Sequence, residues 1–470
     1  MRRCAFTLFA GLALLAAPSA SAKYEGRGDP VVIDGASLTK LSGKAAGDIV
    51  AFRHRDPKRG KSRWRQLPVQ LDERKLVDFG SEPPNNDTPA GDETVYGTAA
   101  IGQQVLQYAD PGTFVGVDPV AGLDGDDEVA LMASDAGDKA RRRAERPKHT
   151  RGASETRVKI SDPLGGPAGF VYLFAAKRAL PIEKDYVRYS FNLTSGDYKT
   201  TYRRAAGPNP ETSTIDTETY SIGFSDRWYY DALAIKAAGA TGVDILDGFK
   251  FTFGPTSCGR SEATFNAAEG AFVANIDGPV RAIRSYVGAN SGPLTERTHV
   301  FYSDRHQLTT DLRVHAVPGP LTYHDLSASG IGMTYINSAN PAGVTVDGVP
   351  DSVSDDVAQW HQWTGAQGSL FSADRLESSF KEQLEAGASN WYLDDSTPAP
   401  NVQCWGDQVA LGQAGLTSTY SMPNTDPRTG GTDFLSSTTT DIVSGPGASA
   451  ADASLQAQRL DSPLTTVVKP

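Results

Sequence analysis

The sequence predicts an all-β protein: a small N-terminal β domain followed by a large antiparallel β-sandwich, with few helices. Three observations carry that expectation. Short runs rich in β-branched and aromatic residues recur along the chain, with Gly, Pro, Asn and Asp between them. The 470 residues include 47 Gly and 29 Pro, a turn-rich composition, while 39% hydrophobic residues suffice for a packed core. Helical periodicity is almost absent.

In chain order, residues 1–22 read as an export signal. Arg2 and Arg3 precede the apolar run from Ala5 to Ala17, and Ala20-Ser21-Ala22 offers a small-residue cleavage site. The run is shorter than the roughly 20 residues that span a bilayer. The expectation is a secreted chain, extracellular or periplasmic, with no integral membrane segment after cleavage. Losing Arg2 and Arg3 takes the formal charge from −11 to −13. Such an acidic chain repels phosphate backbones, so nucleic acid is not expected as a partner. Cys4 leaves with the signal; Cys258 and Cys404 then remain for one disulfide.

The strand pattern begins at Pro30 to Ile33, Asp48 to Arg53, Gln66 to Gln70 and Glu128 to Met132, in an N-terminal β domain at 23–138. Seven cations between Lys139 and Arg151 mark a basic linker or loop at 139–155. It reads as a solvated segment or as a patch for an anionic ligand. The main sandwich is placed at 156–424, with strands at Thr156 to Ile160, Gly169 to Phe174, Tyr186 to Leu193 and Phe249 to Phe253. Further strands fall at Ala271 to Asn275, Val280 to Val287, Thr295 to Tyr302 and Leu308 to Val317. One helix is expected from Ala373 to Ala386, since Leu376, Phe380 and Leu384 make an i, i+4, i+8 stripe behind Ser372. Residues 425–470, rich in Ser, Thr and Gly, read as loose loops ending in a strand at Leu464 to Val468.

The densest set of ionisable side chains flanks the polar turn at Ser303 to Gln307, which reads as a hairpin. Pairing Tyr302 with Leu308 would set His299 opposite Asp311 and Arg297 opposite Arg313. Alternation would then put Arg297, His299, Asp311, Arg313 and His315 on one ionisable face, with Val300, Tyr302, Leu308, Leu312 and Val314 on an apolar one. On that reading His299, Asp311 and His315 form a catalytic acid/base set, and Arg297 and Arg313 hold an anionic sugar. A solvated hairpin face with cross-strand ion pairs explains the same residues.

Asp124, Asp126, Asp127 and Glu128 lie close enough to suggest a structural Ca²⁺ site, and equally an Asx-rich turn. No other cofactor is indicated. Trp228, Tyr229, Trp360 and Trp363 are candidate sugar-stacking rings, with core packing as the alternative for each. No phosphate loop, HExxH or Gly-x-Ser-x-Gly occurs.

The stretch Gly278-Pro279-Val280-Arg281-Ala282-Ile283-Arg284, with the hairpin after it, resembles the large β-sandwich of galactose-mutarotase-like proteins, including rhamnogalacturonan exolyase-like polysaccharide lyases. Trp64-Arg65-Gln66-Leu67-Pro68-Val69-Gln70-Leu71-Asp72-Glu73 resembles the small β domain that precedes the sandwich in some members. The resemblance implies a carbohydrate-related supersandwich and a His or Tyr base with Arg or Lys against a uronate. His299, His315, Arg297 and Arg313 suit those roles. The sequence thus points to a secreted carbohydrate-active protein, a lyase or glycosidase acting on acidic polysaccharide. The alternative is a non-catalytic carbohydrate-binding or cell-envelope protein whose partner is a polysaccharide or glycoconjugate.

Overall fold

A computed structural model describes residues 26–55, 63–78, 104–141, 144–181, 184–195, 209–254, 262, 270–288, 295–312, 318–400, 408–423 and 434–469. Cys258, Cys404, Arg313, His315 and residues 1–22 lie outside the described residues. Within them the fold is all-β, with every strand pairing antiparallel.

The largest sheet has nine strands. From one edge they run Ala271–Ile276, Ala282–Val287, Glu296–Phe301, Arg305–Leu312, Leu435–Ser444, Gly368–Ser378, His361–Gly365, Thr334–Asn337 and Val344–Thr345. Two four-stranded sheets cover it. One is Val187–Ser190, Ser213–Thr217, Tyr220–Asp226 and Tyr229–Ile235; the other is Leu246–Phe253, Pro320–Leu326, Ala410–Ser418 and Ala388–Asp395. All three contribute to one core, where Ile215, Phe224 and Leu233 meet Phe249, Leu326 and Ala414 and then Phe301, Leu308, Trp363 and Val443. Period-2 alternation does this work: in Arg305–Leu312 the side chains of His306, Leu308, Thr310 and Leu312 are buried and those between them are not.

A smaller sandwich holds the N-terminal region. Its three-stranded sheet is Pro30–Asp34, Glu128–Met132 and Gln70–Asp72. Its five-stranded sheet is Thr465–Lys469, Thr150–Ser161, Gly169–Ala176, Ile49–Arg55 and Arg63–Leu67. Val31, Ile33, Ile49, Ala51, Leu131, Val158, Val171 and Leu173 fill the space between them. Strands from either side of the basic segment therefore share a sheet, and the chain's last strand closes one edge of it.

The two segments that carried the family resemblance touch each other. The Gln70 Oε1 accepts hydrogen bonds from Val280 N at 3.0 Å and Arg281 N at 2.9 Å. A Cβ on Gly278 would lie 2.3 Å from the end of the Gln70 side chain, so a larger residue there would have to displace the Gln70 amide from these bonds. Arg281 reaches Asp72 at 2.8 Å and Glu128 at 2.5 Å, and Arg74 takes the other Glu128 oxygen at 2.7 Å. These recognisable residues form a buried ionic joint.

Three sequence expectations change. The expected helix from Ala373 is shortened to Lys381–Ala386, because Gly368–Ser378 is a strand paired along its length with Leu435–Ser444 and in part with His361–Gly365. Two ladders outweigh a three-residue apolar stripe. The tail expected to be loose contains Leu435–Ser444, an interior strand of the nine-stranded sheet, and helix Ala450–Asp461. The run of threonines there is β-branched and suits a pleated strand. Ser449 and Asp452 form a capping box that starts the helix. The third change concerns the hairpin.

Candidate functional site

The turn between Glu296–Phe301 and Arg305–Leu312 is tighter than expected, with Tyr302 N donating to Arg305 O at 2.8 Å. His299 therefore faces Leu308, Arg297 faces Thr310, and Asp311 faces Glu296. The three-residue shift, being odd, separates the expected set. His299 and Arg297 lie on the core face, each with 0% exposure, and Asp311 lies on the opposite face. The shared ionisable hollow is not formed by these residues.

The core face holds a polar relay instead. Tyr286 Oη meets His299 Nε2 at 2.9 Å, and His299 Nδ1 meets His306 Nε2 at 3.0 Å. His306 Nδ1 lies 3.6 Å from Asp441 Oδ2, which also takes His324 Nε2 at 3.0 Å. Burial, followed by the charge of His306, Arg284 and Arg297, holds His299 well below its usual value. His306 is also lowered, burial outweighing Asp441. For His324 the balance reverses: burial lowers it, but the Asp441 carboxylate prevails and raises it. Asp441 thus favours the protonated form of His324, while burial favours the neutral form of the other two rings. Arg297 is matched by Glu262 at 3.2 Å and lies over the Trp228 ring at 4.9 Å. Every group in the relay is walled off from solvent, so a saccharide could reach none of them without parting the sheets.

The proposed stacking rings divide similarly. Trp228, Trp360 and Trp363 are core residues, the last donating its indole N–H to Gly412 O at 2.8 Å; Tyr229 is half-buried. Carboxylate oxygens of Asp124, Asp126 and Asp127 fall within 4.8 Å of one another. The hydrogen bond to Asp124, with burial, pushes Asp126 up to about 6. The trio could hold a cation. Glu128, expected as a fourth ligand, is committed to Arg74 and Arg281 instead. Those two guanidiniums overcome its burial and hold it below its usual value.

An open site lies elsewhere, on the edge strand Arg63–Leu67 of the five-stranded sheet. Trp64 packs edge-to-face on Tyr172 at 5.0 Å and on His54 at 4.8 Å. A cleft opens on each side of it. One, about 550 Å³, is lined by Arg53, Arg65, Lys184, Asp135, Tyr186 and Trp64. The other, about 540 Å³, is lined by Lys139, Arg141, Arg146, Arg157, Glu155 and Tyr172, again with Trp64. Among the described residues, seven cations face two carboxylates here, on a chain of formal charge −11. Lys184 Nζ sits 3.9 Å from the Tyr186 ring centre, and Tyr186 donates its hydroxyl hydrogen to Asp135 at 2.6 Å. The basic segment 139–155, which the sequence offers as a solvated linker or as a patch for an anionic ligand, supplies Lys139, Arg141 and Arg146 to the second cleft. Trp64 is not among the rings that the sequence offers for stacking, although its flanks, Arg63 and Arg65, are the local signal that marks it.

Fold and site together define a multi-sheet β-sandwich protein with a basic aromatic cleft pair at a sheet edge. No protein-family model matches the chain, and no curated protein matches it. Among solved structures it is similar to an alpha-mannosidase from Enterococcus faecalis V583, at 9% identity and TM-score 0.41, over 94% of this chain and 44% of that one. A glycosyl hydrolase family 38 protein from Enterococcus faecalis gives 10% identity and TM-score 0.42, over 94% of this chain and 46% of that one. An Escherichia coli K12 protein assigned as an aldose 1-epimerase gives 11% identity and TM-score 0.24, over 52% of this chain and 99% of that one. The chain spans less than half the length of the two Enterococcus chains.

Proposed function

We propose that this chain is a secreted carbohydrate-binding protein whose partner is an acidic polysaccharide or glycoconjugate, held along the Trp64 edge of the five-stranded sheet. The carrying observation is the concentration, among the described residues, of seven cations and three aromatic rings in two open clefts of an otherwise acidic chain. Aromatic faces with a polar edge suit sugar rings, and guanidinium groups suit carboxylates or sulfates. Export is supported by residues 2–22 of the sequence. Binding is preferred to lyase or glycosidase chemistry because His299 and Arg297, the residues chosen for it, are sealed in the core.

A panel of polyuronates, sulfated glycans, neutral dextran and single-stranded DNA, measured by calorimetry at fixed ionic strength, tests this directly. The expected result is binding to acidic glycans only, weakened at least tenfold by Trp64→Ala, about 1.4 kcal/mol. Tighter binding to DNA, or equal binding to dextran, would refute it. Accumulation of unsaturated-uronate absorbance with the parent would restore the lyase reading.

A further inference from the structure

Resting on the acidic-glycan reading above, we infer that the ligand is a polyanionic chain that crosses Trp64 and occupies both clefts at once, with one of its anionic groups anchored on Arg53. Arg53 is the unusual cation of the set. Its neighbours Arg65 and Lys184 are exposed, whereas Arg53 is only 7% exposed. Its Nη1 donates to Asp135 O at a long 3.4 Å, and its Nε has no hydrogen-bond partner among the described residues. The Asp135 carboxylate nearby is engaged by the Tyr186 hydroxyl. Burial, with Arg55 next, holds the Arg53 guanidinium below its usual value even though Asp135 opposes this. A buried guanidinium with so little compensation is costly in the free protein. An anionic group entering the cleft would complete its hydrogen bonds, and a planar carboxylate matches the guanidinium edge.

The second cleft makes a single small anion an incomplete ligand. Arg146 there pairs with Glu155 at 2.7 Å, and Lys139, Arg141 and Arg157 line the same wall. Trp64 belongs to both clefts and is fixed between them by Tyr172 and by its indole N–H, which donates to Glu145 O. Two charged hollows joined by one ring fit a ligand that repeats its charges along a strand. Carboxylate and sulfate share this chemistry, and the two sources are separated by experiment.

The test is calorimetric titration of the full-length protein with oligouronides of increasing length and with sulfated oligosaccharides of matched length. Affinity should climb with length and then level off once both clefts are filled. Arg53→Gln should cost at least about tenfold at every length. The pair Lys139→Gln and Arg157→Gln should abolish the gain from length. Tighter binding of the uronide series identifies carboxylate as the anchored group, and tighter binding of the sulfated series identifies sulfate. Should Arg53→Gln fail to fold, Lys184→Gln and Arg65→Gln, both on exposed side chains of the same cleft, carry that arm. A dimer that binds as tightly as the longest oligomer would overturn the inference while leaving acidic-glycan binding intact. So would an unaltered affinity in the Arg53 cleft variants. Absence of binding to every acidic glycan would instead remove the functional reading beneath it.

Discussion

At the residue scale, the ionisable side chains that look most chemical in the sequence are those the fold consumes for structure. Arg281 is 2% exposed and shared between Asp72 and Glu128, with Tyr302 Oη at 3.3 Å. Removing one partner of a buried ionic group leaves the others uncompensated, at about 3–5 kcal/mol. Arg281→Ala should therefore lower the unfolding free energy from denaturant titration by an amount of that order, whereas a change within experimental error would show the joint to be dispensable. His361 gives a cleaner titration. Burial, followed by the nearby His324, pulls it down to about 3, and its Nδ1 meets Tyr335 Oη at 2.8 Å. Its folded value lies below its unfolded value near 6.5, so on acidification the unfolded chain takes up this proton first. Stability from this group is present above about pH 6.5 and drains as pH falls toward the folded value. Burial pushes the carboxyls of Asp325 up to about 7 and Asp374 to about 6, and these act in the opposite direction. The informative quantity is thus the difference between the parent and His361→Gln. From pH 6 to pH 4 the parent should lose stability relative to the variant, by up to about 1.4 kcal/mol per pH unit. Parallel pH profiles for the two proteins would contradict a neutral, buried His361.

At the scale of elements, register decides chemistry. Alternation was legible in Glu296–Phe301 and Arg305–Leu312, but the turn length was not, and the three-residue shift turned Asp311 away from His299. The hydrophobic pattern could not correct this, because His299, Arg297 and Thr310 are polar residues on the buried face. The strand Leu435–Ser444 makes the same point. Its sequence reads as polar tail, yet it bridges Arg305–Leu312 and Gly368–Ser378 in the middle of the largest sheet. Leu435, Ile442 and Val443 are buried there among Ser437, Thr439 and Asp441. A chain ending at residue 434 would lose this strand and also Thr465–Lys469 from the smaller sandwich. It should show no cooperative thermal transition and should expose apolar surface to a dye such as ANS. A sharp transition near the parent's would mean that the remaining strands close without it.

At the scale of the whole molecule, charge is unevenly distributed. The acidic total suggests repulsion of anions, whereas one sheet edge concentrates the cations in a pair of clefts. Average charge governs long-range behaviour, but a local cluster governs what binds within about one Debye length, near 8 Å at physiological salt. The sequence by itself determined the β class, because strand-length apolar runs between turn residues have few other solutions, and it marked the basic segment by composition. It also carried the joint between Gln70, Gly278 and Arg281 as short motifs, without indicating that they meet. Only the tertiary structure decided which ionisable groups reach solvent. Whether a polar side chain faces a cleft or a core depends on pairing register and on sheets contributed from distant parts of the chain, and neither is encoded in local periodicity.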